Sequence, residues 1–227
     1  MVDLSAVAYA TRQALVAKGI PISLSHAQQL VAAAMGHGTL AAYQASGDAQ
    51  ALAGAAHVVV DDALLRERAE NLGHPGDAVP ATVVEMLGAM LPGTVHQHTE
   101  AFADCLRDFA DSSTLNDGEV GSQTAMTNHN GVSEVYMPLD LPDDLDTGEE
   151  EFLEVEIDGQ VTMELDLDRP YSGQQVDVEA RLTVDRLGAR LFGRPDLDIT
   201  KARLRGWADD DEPDGELQEL EAEGQGR

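Results

Sequence analysis

The apolar residues of this chain recur with two different periods, and the change between them limits the available folds more than any single motif does. Up to about residue 111 they fall three and four apart, the spacing of one helix face. Beyond Val132 they alternate, the spacing of half-buried strands.

Leu4, Val7, Ala8, Thr11, Ala14 and Leu15 predict a helix from about Asp3 to Lys18, ended by Gly19 and Pro21. Ser23 or Ser25 is placed to cap a second helix running to Met35, with Ala27, Leu30, Val31 and Ala34 inward and Gly36 as the stop. A short third helix is expected from Thr39 to Ala45. Val58 to Val60 reads as an extended piece ahead of a helix capped at Asp61 or Asp62, and Pro80 suits the first turn of a helix carrying Val83, Val84, Leu87, Met90 and Leu91. Val95, His98, Phe102, Cys105 and Phe109 form a stripe on a helix expected over 94–111, suited to packing inside the protein or against a second copy in a homodimer.

Residues 112–131 are rich in Ser, Thr, Asn, Asp and Gly, which favour turns. After them Leu153, Val155 and Ile157 share a face, Asp158-Gly159 has the composition of a two-residue hairpin turn, and Val161, Met163, Leu165 and Leu167 return on the same side. Val176 to Val184 and residues 199–206 predict two further strands. Lys201, Arg203 and Arg205 would then lie across from Glu154, Glu156, Glu164 or Asp166. The class expected is α+β: an all-helical domain over 1–111, a linker over 112–131, an antiparallel β-sheet domain over 132–207 and a disordered acidic tail over 208–227.

Charge narrows the partners. The formal net charge is −28, divided as −10 over residues 1–137 and −18 over 138–227. Such an excess repels phosphate backbones and anionic membranes, so a protein partner with a basic surface is expected and direct nucleic acid binding is not. The single cysteine, Cys105, rules out an intrachain disulfide, and no leader-like segment or run of about 20 apolar residues is present, so a cytoplasmic location is expected.

Ile22, Ser23, Ser25, Ala27, Leu30, Val31, Ala32 and Gly36 form a pattern that resembles the glyoxalase-related protein core domain, a short helical module of bacterial proteins named as glyoxalase superfamily members. The resemblance covers about residues 5–46 and implies a fold rather than a chemistry, because the matching positions cap or pack helices. Where such modules usually carry a histidine, a glutamate and a tryptophan, this chain has Leu24, Gln29 and Leu40. Ser25, His26 and Tyr43 are the binding candidates the module leaves.

Glyoxalase-type metal enzymes, on that resemblance, draw His and Glu ligands from strands of paired βαβββ repeats. No such repeat is visible here, and all seven histidines lie at or before residue 129. His96 and Glu100, four apart on an expected helix face, are the metal candidates, needing a further histidine from elsewhere. Asp210, Glu212, Asp214, Gly215 and Glu221 match calcium-loop positions, but Pro213 intrudes and an acidic tail matches such a pattern by chance. The helix pair from Ser25 to Ala45 has helix-turn-helix proportions, yet no Lys or Arg lies between Lys18 and Arg66 to hold a phosphate backbone. Ser122, Ser133 and His129 form no Gly-x-Ser-x-Gly arrangement, and Cys105 reads as a small buried hydrophobe, so no catalytic residue and no cofactor are assigned. The function expected is that of an accessory protein acting by protein contacts. A metal-dependent glyoxalase-type enzyme and an acidic DNA mimic occupying a DNA-binding protein are the alternatives.

Overall fold

The computed structural model describes residues 4–74, 76–127, 129–141, 145, 151–165, 168 and 175–205. The acidic tail and the calcium-loop pattern lie outside the described residues. In chain order the elements are α1 (Leu4–Ala17), α2 (Leu24–Ala34), α3 (Leu40–Ser46), α4 (Asp48–Ala51), β1 (His57–Val59), α5 (Asp62–Asn71), α6 (Ala78–Met90), β2 (Thr94–His96), α7 (Thr99–Leu115), α8 (Gly118–Ala125), β3 (His129–Tyr136), β4 (Phe152–Leu165), β5 (Gln175–Arg186) and β6 (Leu191–Leu204).

Caps set the helix starts. The Ser23 hydroxyl accepts from the His26 N–H at 3.1 Å, Thr39 from Ala42 at 3.0 Å and the Asp61 carboxylate from Leu64 at 2.8 Å. Gly36 follows α2 at φ +81°, a conformation that favours glycine, and a Cβ there would come within 2.9 Å of Arg190 Cγ. The helices concentrate toward the N-terminus, as their spacing predicts. The class is α+β.

The sheet differs from expectation. Its six strands run β2-β1-β6-β5-β4-β3, and it is mixed rather than purely antiparallel, because β1 and β2 pair in parallel while the other neighbours are antiparallel. Nor is the N-terminal part all-helical, since β1 and β2 come from it. Each is three residues long, too short to show an alternating period, and His96 therefore read as the start of a helix.

Asp158-Gly159 makes no turn. β4 runs through it, with Asp158 opposite Glu179 and Gly159 opposite Val178. A two-residue turn would pair Ile157 with Gln160 and bring even-numbered residues back onto the face of Leu153 and Ile157, whereas Val161 and Met163 keep the odd parity of a straight strand and are buried with them. The tertiary reason for the glycine is close approach, because a Cβ at 159 would run into Met137 Sδ and lie 2.7 Å from the Tyr136 carbonyl. The linker over 112–131 also departs from expectation: it holds α8, capped by Asp117 on the N–H groups of Glu119 and Val120. Its polar side chains face the outer edge of β6, where Glu119 accepts from Ala202 N–H and Gln123 from Leu204 N–H. Edge donors that would otherwise template another strand are thus closed.

Two apolar cores form. One gathers α1, α2, α5 and α6 with Val58, Val60 and Leu191; the other places Phe102, Leu106 and Ala110 of α7 against the inward side chains of β4, β5 and β6, with Val59 and Phe192. Alternation along β1 and β6 sends successive side chains to opposite faces, so the sheet end shared by β1 and β6 divides the two. Of the expected stripe Phe102 alone is fully buried; the inward face of α7 is Phe102, Leu106 and Ala110, with Cys105 and Phe109 half-buried at its margin.

A polar lock fastens the β5–β6 turn to the helices. Asp48, 4% exposed, takes His37 Nε2 at 2.8 Å and the backbone N–H of Ala189 at 3.2 Å on its Oδ2. Arg190 reaches Asp61 at 3.2 Å, so one carboxylate caps α5 and pairs with the turn. A side chain at Gly188 would meet the Asp48 carboxylate at 2.8 Å. Asp48→Ala strips buried donors of their acceptor and should destabilise the fold by about 2 kcal/mol; a urea midpoint equal to that of the parent would contradict the lock.

Candidate functional site

The inward face of β4–β6 is apolar, and the outward face is an exposed charged surface ordered by register. Three cross-strand rows define it: Glu154, Thr183 and Asp196; Glu156, Arg181 and Asp198; Asp158, Glu179 and Lys201. The only basic residues in these rows are Arg181 and Lys201. Arg181 donates to Glu156 at 2.9 Å and lies 3.6 Å from Glu154, while Lys201 pairs with Glu179. Asp158 and Asp196 have no ion pair among the described residues. One row further, Arg205 pairs with Asp177, so the excess of carboxylates is largest at Glu154, Thr183 and Asp196, beyond which Phe152 stands opposite Asp185 and Arg194 is exposed on β6. At that acidic end Phe152 is 45% exposed and Leu187 of the β5–β6 turn 37% exposed.

The cations expected to face β4 therefore act elsewhere. Lys201 and Arg205 pair with β5, because β5 lies between β6 and β4 in the sheet. A bulge near Ala180 also breaks strict alternation on β6, leaving Thr200 and Lys201 both exposed.

The other site residues are dispersed. Ser25 is exposed in the first turn of α2, and His26 is half-buried with its Nδ1 3.4 Å from His74 Nε2. Tyr43 is buried at 3% exposure and packs edge-on against His37 at 5.2 Å between ring centroids. His96 and Glu100 do not share a helix face, since His96 ends β2 and α7 starts only at Thr99. His98, expected in the apolar stripe, is instead the exposed N-cap of α7, its Nδ1 accepting from Ala101 N–H at 3.1 Å. Glu100 joins His98, Arg107 and Asp140 in lining an open cavity of about 600 Å³.

His96 does meet a second imidazole, which spacing along the chain could not indicate because His57 is 39 residues away. The parallel register sets Val59 opposite His96, and His57 Nδ1 lies 3.0 Å from His96 Nε2. Phe102 lies against both rings at 5.5 and 5.2 Å between centroids and against Phe192 at 4.9 Å. Burial lowers the pKa of both imidazoles; that of His96 falls to about 4, with the charge of His57 adding to burial and a backbone hydrogen bond to Ala101 opposing it. Cys105 completes a group able to hold a metal: it offers Sγ, and the ligand atoms of His57, His96 and Cys105 all lie within 4.8 Å of one another.

Comparison with protein-family models, with curated proteins and with solved structures found no match, so the resemblance over residues 5–46 rests on sequence alone. Among the described residues no helix is long and apolar enough to cross a membrane.

A lowered folded pKa means that the unfolded chain binds more protons, so the neutral His96 contributes stability that is present above pH 6.5 and lost as pH falls toward about 4. In metal-free protein this contribution is of order 3 kcal/mol. Urea unfolding of the parent and of His96→Gln across that window isolates it from general carboxylate titration. The parent should lose more stability on acidification than the variant; parallel curves would refute the assignment.

Proposed function

We propose that this protein is an accessory factor that works by docking its acidic outer sheet face, centred on the Phe152 end of β4 and β5, onto a protein with a basic surface. The observation that carries this reading is the row of Glu154, Thr183 and Asp196, which holds two carboxylates and no cation of its own, next to the exposed ring of Phe152; Arg181 of the neighbouring row reaches only Glu154, at 3.6 Å. Carboxylates held in register on a rigid sheet steer a basic partner over roughly a Debye length, about 10 Å at 0.1 M salt. An exposed aromatic within such a field supplies the apolar anchor that charge alone lacks. The net charge of −28 favours the same partner class and disfavours nucleic acid.

The role as a DNA mimic is a narrower form of this reading, in which the basic surface belongs to a DNA-binding protein. A metal-dependent glyoxalase-type enzyme is the alternative reading. Its support is His96, now beside His57 rather than beside Glu100.

The test compares immobilised parent with a Glu154→Lys, Asp196→Lys double variant in pull-downs from the source cell at low salt. A specific partner of the parent should be retained about tenfold less by the variant, and by Phe152→Ala to a lesser extent. Equal retention by all three would reject the surface. Displacement of the captured partner by duplex DNA would select the mimic.

A further inference from the structure

The parallel pairing of β1 with β2 has a chemical result independent of the acidic face. Val59 stands opposite His96, and His57 lies two residues before Val59 on the same strand face, so both imidazoles emerge on one side of the sheet edge. α7 crosses that side. Phe102 and Cys105, one helical turn apart, face it: the ring packs on both imidazoles and on Phe192, and the thiol comes within 4.8 Å of both ring nitrogens.

We infer that His57, His96 and Cys105 form a binding site for a borderline-soft transition metal ion of the Zn(II) class. Zn–N bonds of about 2.0–2.1 Å and a Zn–S bond of about 2.3 Å, set tetrahedrally, place the two nitrogens about 3.3 Å apart and each nitrogen about 3.6 Å from sulfur. The nitrogens here are 3.0 Å apart. The thiol, within 4.8 Å of both nitrogens, must close by at most about 1 Å to meet that geometry.

Donor chemistry selects the metal. Two imidazoles and a thiolate suit Zn(II) and its neighbours in the first transition row, whereas Mg(II) and Ca(II) require oxygen. The setting supports a site in one respect: Phe102 packs on both imidazoles and, with Phe192, supplies an apolar wall. On binding, the Cys105 S–H bond breaks, its proton passes to solvent, and the thiolate electron pair forms the metal–sulfur bond. Three protein ligands leave the fourth place on a tetrahedral ion to water or a small ligand.

Co(II) reports thiolate and geometry together. Titration of the reduced, tag-free full chain should give tetrahedral visible bands and a thiolate-to-cobalt charge-transfer band at about one equivalent, displaced by Zn(II). Cys105→Ser should remove the charge-transfer band. His57→Gln and His96→Gln should weaken binding by at least about tenfold, and His129→Gln should titrate like the parent. A folded parent that binds Co(II) without the charge-transfer band has only its acidic surface as ligand, which overturns the site. So does unchanged affinity in both histidine variants. If those variants do not fold, as judged by circular dichroism, Cys105→Ser decides alone: loss of the band supports the site and its persistence refutes it.

Discussion

The pairing of β1 with β6 joins everything else in this molecule, although only His57 with Phe192 and Val58 with Leu191 are in register. Alternation along those short segments puts Val58, Val60 and Leu191 into the helical core and Val59 and Phe192 into the core of the sheet. Each of these side chains is almost fully buried, which is worth about 2 kcal/mol apiece. Two cores therefore share one pair of strands, and loosening that pair exposes apolar surface on both sides.

Polar groups fix the direction of this junction. The turn between β5 and β6 inserts its backbone and Arg190 against Asp48 and Asp61, both contributed by the helical part. Apolar contacts tolerate sliding, whereas buried carboxylates facing N–H donors and a guanidinium do not. The same turn carries Leu187 to the surface beside the acidic end of the outer face, so the lock also positions the proposed docking surface.

Two kinds of chemistry are kept apart by the sheet. Carboxylates dominate the solvent face of β4–β6, where water and cross-strand cations tolerate them. The imidazole pair lies at the β1–β2 edge beneath α7, away from that face, where burial favours neutral rings. Long-range charge thus belongs to one surface and ligand chemistry to another. An anionic face steers over ångströms of water, while a metal needs lone pairs within bonding distance, and among the described residues the clustered imidazoles and thiol lie apart from the carboxylate face.

Local order was readable in advance wherever a run was long enough to show a period or a cap: Ser23, Thr39 and Asp61 start helices, the stripe through Phe102 faces a core, and Val176 to Val184 is a half-buried strand. Acidity and the lack of a basic helix were likewise evident from composition. Three-residue strands carry no period: β1 was legible only as an extended piece over Val58 to Val60 and β2 not at all, so the mixed sheet and the meeting of His57 with His96 escaped. Asp158-Gly159 misled because its composition is that of a turn, although the odd-numbered apolar residues on both sides of it share a face only in a straight strand; the approach of Met137 gives the glycine its purpose. Periodicity states which face of an element is buried. Which elements then meet depends on contacts between residues tens or more than a hundred positions apart, such as Asp48 with Ala189, and neighbouring residues hold no record of those.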